Sequence, residues 1–401
     1  MPAATDSSVQ FLIQLGRALH ESGFSAPELE SALHRVADRV GVQAQFFSTP
    51  TSLFFAFGSG VGQRTHLERV EPAGVDLGRL AELEALAGKV ASGELDPGSA
   101  SAAIDRARVR PRRFPGSLTL ACWGLSSAAT AVFLGGGWSE VAVGGVLGLA
   151  TGALAALLAR RRETGHLFEP IASALAAFVA AGAATLFHPF SVYIATLAGI
   201  IYLIPGFTLT VALSELATRH LSSGTARFAS ALVVFLTITF GTAIGGRLGE
   251  SAFGAAPSAG PSALTPWAEW LALLVAPLAL TVLFRAPVRD APWILAVGAL
   301  GFQGGRFGAE VLSPELGMFL GALAIGLASR LYARWTGRPE AIPLVPSILL
   351  LVPGSIGYRS FASLLQSDVV LGVETAFRMI LVAVSLVAGL LLSRSLAPDR
   401  R

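Results

Sequence analysis

Two Pro-Gly pairs, Pro205-Gly206 and Pro353-Gly354, each close a short apolar run inside a long hydrophobic region. Proline removes a backbone donor and glycine loosens the backbone, so each pair breaks a helix where water is scarce. A break exposes amides at one new helix end and carbonyls at the other, and inside a bilayer both need protein, water or ligand partners. An anionic group suits the amide end, while a cation suits the carbonyls or a carboxylate. Hydroxyls follow both breaks: Thr208, Thr210 and Ser214 after the first, Ser355, Tyr358 and Ser360 after the second. Glu215 adds an acid able to meet a cation or carry a proton, and Arg359 a guanidinium able to hold a carboxylate. Each has a plainer alternative. Membrane Ser and Thr often bond their own backbone, and Glu215 has Arg219 at the four-residue spacing of a surface pair.

The elements that carry these residues follow from composition. With 401 residues, 53% hydrophobic and only 14% charged, the chain is too apolar for a soluble protein and is expected to be an α-helical polytopic membrane protein. The apolarity begins late: residues 1–113 have the charge and patterning of a small cytoplasmic α+β domain. There, Leu12, Leu15 and Leu19 repeat at helical spacing, as do Leu29, Leu33, Val36 and Val40, and Gly23 and Gly41 end the two helices. Three strands follow, over residues 43–47, 53–57 and 63–70, and then helices capped by Asp76 and Asp96. Gly58 to Gly62 lacks the lysine of a phosphate loop and is read as a hairpin turn. His20, Glu21 and His34 are read as solvated. No secretory signal is visible, so the N-terminus is expected to stay in the cytoplasm.

The single Cys122 excludes an intrachain disulfide, and the six histidines have no metal-ligand spacing, so neither metal nor cofactor is expected. The net charge of +3 sits largely at the ends of apolar runs, which suits topology rather than nucleic acid. No nucleophile, base and orienter set stands out, which argues against an enzyme.

Ten apolar runs lie between Ser117 and Leu392. Threading them from a cytoplasmic N-terminus puts the arginines at 106–113 and 160–162 inside, with Arg219, Arg227, Arg285, Arg289, Arg330, Arg334, Arg338, Arg394, Arg400 and Arg401. Only Arg247, Arg306, Arg359 and Arg378 fall outside, a strong positive-inside bias that also puts the C-terminus in the cytoplasm. Shifting the chain by the interval from Pro205 to Pro353 lays the first five runs over the last five. We therefore expect two five-helix repeats, 114–250 and 265–395, inverted because five is odd. Broken helices at matching places in such repeats point to a transporter site near the midplane. Gly144, Gly145, Gly148 and Gly152 suit tight helix packing.

Leu203-Ile204-Pro205-Gly206, with Thr208, Thr210, Ser214-Glu215-Leu216, Ser223-Gly224 and Arg227, resembles the threonine/serine exporter (ThrE-type) family. Val352-Pro353-Gly354-Ser355-Ile356-Gly357-Tyr358-Arg359 resembles its second half, and the helices before Gly23 and Gly41 resemble its cytoplasmic domain. The resemblance spans about Val9 to Arg394, with both halves fused in one chain. It implies a multi-pass inner (cytoplasmic) membrane exporter of threonine and serine driven by the proton motive force. Its partners are then small amino acids, protons and the lipid bilayer, with self-association left open. A zwitterion would place its carboxylate at a helix N-terminus and its ammonium on carbonyls or a carboxylate, and its hydroxyl among those of the two segments. The rival readings are a channel or sensor governed by the cytoplasmic domain, and a membrane-anchored enzyme.

Overall fold

The computed structural model describes residues 6–71, 74–109, 113–159, 165, 167–255 and 264–396. Arg110, Arg112, Arg160 to Arg162, Arg400 and Arg401, which enter the charge asymmetry, lie outside the described residues.

The described residues of the N-terminal region pack four helices, α1 (Asp6–Glu21), α2 (Ala26–Arg39), α3 (Leu77–Ser92) and α4 (Pro97–Val109), with an antiparallel sheet. Its strands, β1 (Ala44–Thr49), β2 (Ser52–Phe57) and β3 (Arg64–Arg69), lie in sequence order. Alternation turns Phe46, Leu53, Phe55 and Phe57 toward the helices, where they meet the buried stripe of Leu12, Leu15 and Leu19. Each such side chain contributes about 1.5–3 kcal/mol by leaving water. Gly16 lets α1 sit directly on the sheet, since a Cβ there would stand 2.8 Å from the Phe55 ring. Asp76 caps α3 by accepting from the Arg79 amide at 3.0 Å, and Asp96 accepts from the Gly98 and Ser99 amides. The Gly58 to Gly62 segment links β2 to β3 through a short 3-10 turn, as a hairpin turn requires.

Among the described residues, twelve α-helices follow. The first six are α5 (Gly116–Phe133), α6 (Trp138–Leu158), α7 (Phe168–Leu186), α8 (Val192–Gly199), α9 (Gly206–Ala217) and α10 (Leu221–Phe253). The second six are α11 (Pro266–Leu283), α12 (Ala291–Val311), α13 (Pro314–Thr336), α14 (Ala341–Leu349), α15 (Gly354–Leu365) and α16 (Val369–Leu396). Among the described residues, eight helical segments are long and apolar enough to cross a membrane, α14 and α15 counting as one. The α8–α9 pair, bent by 54°, makes a ninth. The chain is a multi-pass membrane protein. The ten runs of the sequence thus become eight or nine apolar spans, because Pro205 splits one and glycine-rich α12, interrupted by Gln303 and Arg306, has no continuous stretch apolar enough to count.

The two series match element by element. α8 has 8 residues and α14 has 9, and the helices after the breaks, α9 and α15, both have 12. Pro205 (φ −79°, ψ 36°) and Pro353 (φ −78°, ψ 29°) have nearly the same backbone. Arg219 (φ 66°) and Ser367 (φ 67°), at matching places beyond them, turn the chain into the next long helix through left-handed conformations. The expected glycine packing is present: a Cβ on Gly148 or Gly152 would overlap Ser127 or Trp123 of α5.

One hydrophobic core joins the regions, running from Phe11, Phe55 and Leu83 to Leu283, Phe284, Tyr332 and Ile342 at the ends of membrane helices. Polar links reinforce it: Leu77 N donates to Phe284 O at 3.0 Å, and Asp76 pairs with Arg285 at 3.0 Å. Glu28 pairs with Arg394 at 3.0 Å and Glu82 with Arg113 at 3.8 Å, while Arg330 pairs with Glu340 at 3.4 Å within the membrane part. The end of α11 and the last turn of α16 thus meet the N-terminal region, and so does the α9–α10 corner, where Ala26 N donates to Glu215. The first half of α16 instead pairs through Arg378 with Glu315 at the start of α13, 3.1 Å away.

Candidate functional site

Each break arises locally. Proline cannot donate to the preceding turn, and its ring drives the residue before it out of helical geometry. Ile204 accordingly sits at φ −67°, ψ 122°, and a new helix starts at Gly206. The two breaks touch. A Cβ on Gly206 would lie 2.2 Å from Val352 Cγ1 and 3.1 Å from the Cα of Gly354, and one on Gly354 would lie 2.7 Å from Ile204 Cγ2. Pro205-Gly206 and Pro353-Gly354, far apart in sequence, are therefore brought backbone to backbone, with the first turns of α9 and α15 side by side. First-turn amides have no partner within their own helix, so two sets of donors gather at one place.

The hydroxyls separate into used and unused. Thr210 Oγ1 donates to Gly206 O at 3.1 Å, the bond to its own helix backbone common in membrane helices, while Ser360 Oγ donates across to Gly372 O of α16 at 2.7 Å. Tyr358 is buried and donates to Thr242 Oγ1 at 3.1 Å, with its ring 5.8 Å from that of Tyr193. Thr208 and Ser355, half-buried in the first turns beside the breaks, donate their hydroxyls to no described residue, and nor does half-buried Ser214 farther along α9. Arg359 is exposed on α15 and has no ion pair among the described residues.

Glu215 lies apart from the breaks, near the far end of α9, and is 1% exposed. Its Oε1 accepts from Ala26 N at 3.0 Å and Arg227 Nε at 3.1 Å, and its Oε2 accepts from Ser223 Oγ at 2.7 Å. Ala26 opens α2, whose N-cap Ser25 makes no capping bond and instead donates to Glu28. A carboxylate from a membrane helix therefore caps a helix of the N-terminal region, where the dipole favours it. One turn along, His220 stands 3.5 Å from Glu30 of α2, whose other oxygen accepts from Ser48 N at 2.8 Å. Burial raises the Glu30 carboxyl above its ordinary range against these contacts. The surface pair with Arg219 does not form, because Arg219 makes the left-handed turn. Nor does Arg378 pair with nearby Glu374; Glu315 takes it.

His20 corrects another expectation. Read as solvated, it is 4% exposed, and neither ring nitrogen has a hydrogen-bond partner among the described residues. Burial, and then the charge of Arg227, hold its pKa below the ordinary histidine value. No group of three or more His, Cys, Asp or Glu suited to a metal gathers among the described residues.

Reading the sequence missed Thr242, Tyr193 and the Ala26 amide as partners. Ser223 and Arg227 were visible as motif residues but not as ligands of Glu215. Nothing in one chain's spacing joins α2 to α9.

Two family models cover the chain. One, described as "Putative threonine/serine exporter", matches residues 10–249, and the other, "Threonine/Serine exporter, ThrE", matches residues 269–396. The chain belongs to the threonine/serine exporter family. The first match ends within α10 and the second begins within α11, so the division between them falls where the second series of helices begins. Among similar proteins are those named pheromone-regulated membrane protein 10. That of Saccharomyces cerevisiae (strain YJM789) is 24% identical over 370 residues, covering 89% of this chain and 48% of its own length. That of Candida albicans (strain WO-1) is 24% identical over 365 residues, covering 88% of this chain and 33% of its own. The exporter-family chain thus spans half or less of the length of these relatives. No solved structure matches it.

Proposed function

We propose that this chain is a secondary active exporter of threonine and serine, driven by the proton motive force, with its substrate site at the paired Pro-Gly breaks. The observation that carries this reading is the contact of Gly206 with Gly354, which sets two helix N-termini together within the hydrophobic part of the chain. The Gly206 amide is used by Ile204 O at 2.8 Å; the other first-turn amides suit a carboxylate, the carbonyl ends of α8 and α14 suit an ammonium, and Thr208 and Ser355 offer hydroxyls to a hydroxylated side chain. Arg359 would attract the carboxylate from one side.

Counting α8–α9, α12 and α14–α15 each as a crossing gives ten, as two five-crossing units over residues 114–250 and 265–395. The matching elements support a repeat. The α9–α10 corner meets the N-terminal region while the α15–α16 corner does not, which supports inversion. With residues 1–113 as a cytoplasmic domain and both termini inside, one unit would rock against the other around the breaks. Glu215 would carry the coupled proton, since protonation removes an acceptor that holds α9 to α10 and α2. The partners are then small amino acids, protons and the lipid bilayer of the inner (cytoplasmic) membrane.

Counterflow of labelled threonine and serine into proteoliposomes, with and without a pH gradient, tests the assignment. We expect exchange of both, accumulation that follows the gradient, and its collapse with an uncoupler. A membrane that exchanges neither amino acid would remove the assignment.

A further inference from the structure

Between the N-terminal region and the ends of the membrane helices lies an open chamber of about 1340 Å³. Eight of its lining residues are arginines and five are acids. Four of the acids are held in the ion pairs of Asp76, Glu28, Glu82 and Glu340 described above, and Arg338 is paired with buried Asp290. Arg35 of α2, Arg79 of α3 and Arg289 before α12 have no ion pair with any described residue. Glu84 is the remaining acid. Burial, and then Glu28 and Glu340, push its carboxyl up to about 7 against the pull of Arg35, so near neutrality it supplies only part of a charge.

We propose that this chamber binds a phosphate-bearing anion through Arg35, Arg79 and Arg289. The three arginines come from separate elements and line one space, whose walls are cross-linked by the surrounding ion pairs. A guanidinium offers planar, paired donors that match phosphate oxygens, and it stays charged at any physiological pH. A surplus of fixed positive charge in a recess concentrates anions there. Because the chamber opens where helices end, the phosphate can belong to an anionic lipid headgroup or to a small soluble molecule; basic pockets at helix ends bind headgroups in this way.

The test uses the full-length protein in phosphatidylcholine nanodiscs. One arm titrates pyrophosphate by calorimetry; the other adds phosphatidylglycerol to the nanodisc and measures, by native mass spectrometry, how much stays with the protein. The variants are the triple Arg35→Gln, Arg79→Gln, Arg289→Gln, and Arg247→Gln, an exposed arginine far from the chamber, as control. Since the guanidiniums are partly solvated, we expect the triple variant to weaken binding at least about tenfold, with Arg247→Gln unchanged. Loss confined to the pyrophosphate arm identifies a soluble ligand, and loss confined to the lipid arm a headgroup. Glu84→Gln removes a negative charge and should tighten the same binding, which a misfolded protein cannot do. Absence of binding in both arms, or binding that the triple variant leaves intact, overturns the proposal.

Discussion

Gly206 and Gly354 back directly onto each other: a Cβ on the first would stand 3.1 Å from the Cα of the second and 2.2 Å from Val352 Cγ1. Only residues without a side chain let the two broken helices meet there. Gly206→Ala should therefore destabilise the protein by about 1–3 kcal/mol through overpacking. Val352→Ala in the same chain should recover part of the loss. Thermal unfolding of the purified single and double variants measures both effects; a double variant no better than the single would show that Val352 is not the obstacle.

Tyr358 and Thr242 join α15 to α10 across the interior, between the two series of helices. Deleting the Tyr358 hydroxyl with Phe should cost about 0.6 kcal/mol, the average for hydrogen bonds between membrane helices, and no more than about 1.7 kcal/mol. Thr242→Val should cost a similar amount, and the double variant less than their sum. Strict additivity in a double-mutant cycle would mean the 3.1 Å contact carries no energy.

Glu215 fastens α2 to α9, so Glu215→Gln should loosen the N-terminal region as well as disturb transport. The change leaves half-buried Arg227 without its countercharge, a loss of about 3–5 kcal/mol in a fully buried site and less here, where Arg227 keeps some contact with water. Hydrogen exchange at the start of α2 should rise in the variant, and transport should no longer follow the pH gradient. Unchanged coupling would remove Glu215 as the proton carrier while leaving its docking role to the exchange measurement.

The fold of the N-terminal region was legible because its signals are local: Leu12, Leu15 and Leu19 give a helical face, and Asp76 announces a cap. The breaks were legible for the same reason, since Pro205 and Pro353 act on their own turns. What could not be read is contact between distant segments. The spacing of Glu215 and Arg219 satisfies a local rule, yet the left-handed turn at Arg219 and the approach of α2 gave the acid to Arg227, Ser223 and Ala26. His20 lies on a helix whose other face is apolar, and its neighbours are distant in sequence: the Thr49 and Pro50 backbone, and Arg227 of α10 near enough to act through its charge.

Two groups give the N-terminal region opposite responses to pH. Glu84 has a folded pKa near 7, above its ordinary 4.5, so its contribution favours the folded state at low pH and is lost as pH rises through about 7. His20 has a folded pKa below the ordinary 6.5, so its contribution is present above that value and is lost as pH falls through the folded pKa. Glu84→Gln should flatten the alkaline limb of a stability profile and leave the acid limb in place. An alkaline limb of unchanged slope would show that Glu84 titrates alike in folded and unfolded chains.

Binding of labelled threonine to the purified protein, compared between wild type and the Thr208→Val, Ser355→Ala double variant, bears most directly on a substrate site at the paired breaks. We expect saturable binding that weakens about tenfold or more when the two hydroxyls beside the breaks are removed, with unfolding temperature little changed. Threonine bound equally well by both proteins would place the substrate elsewhere.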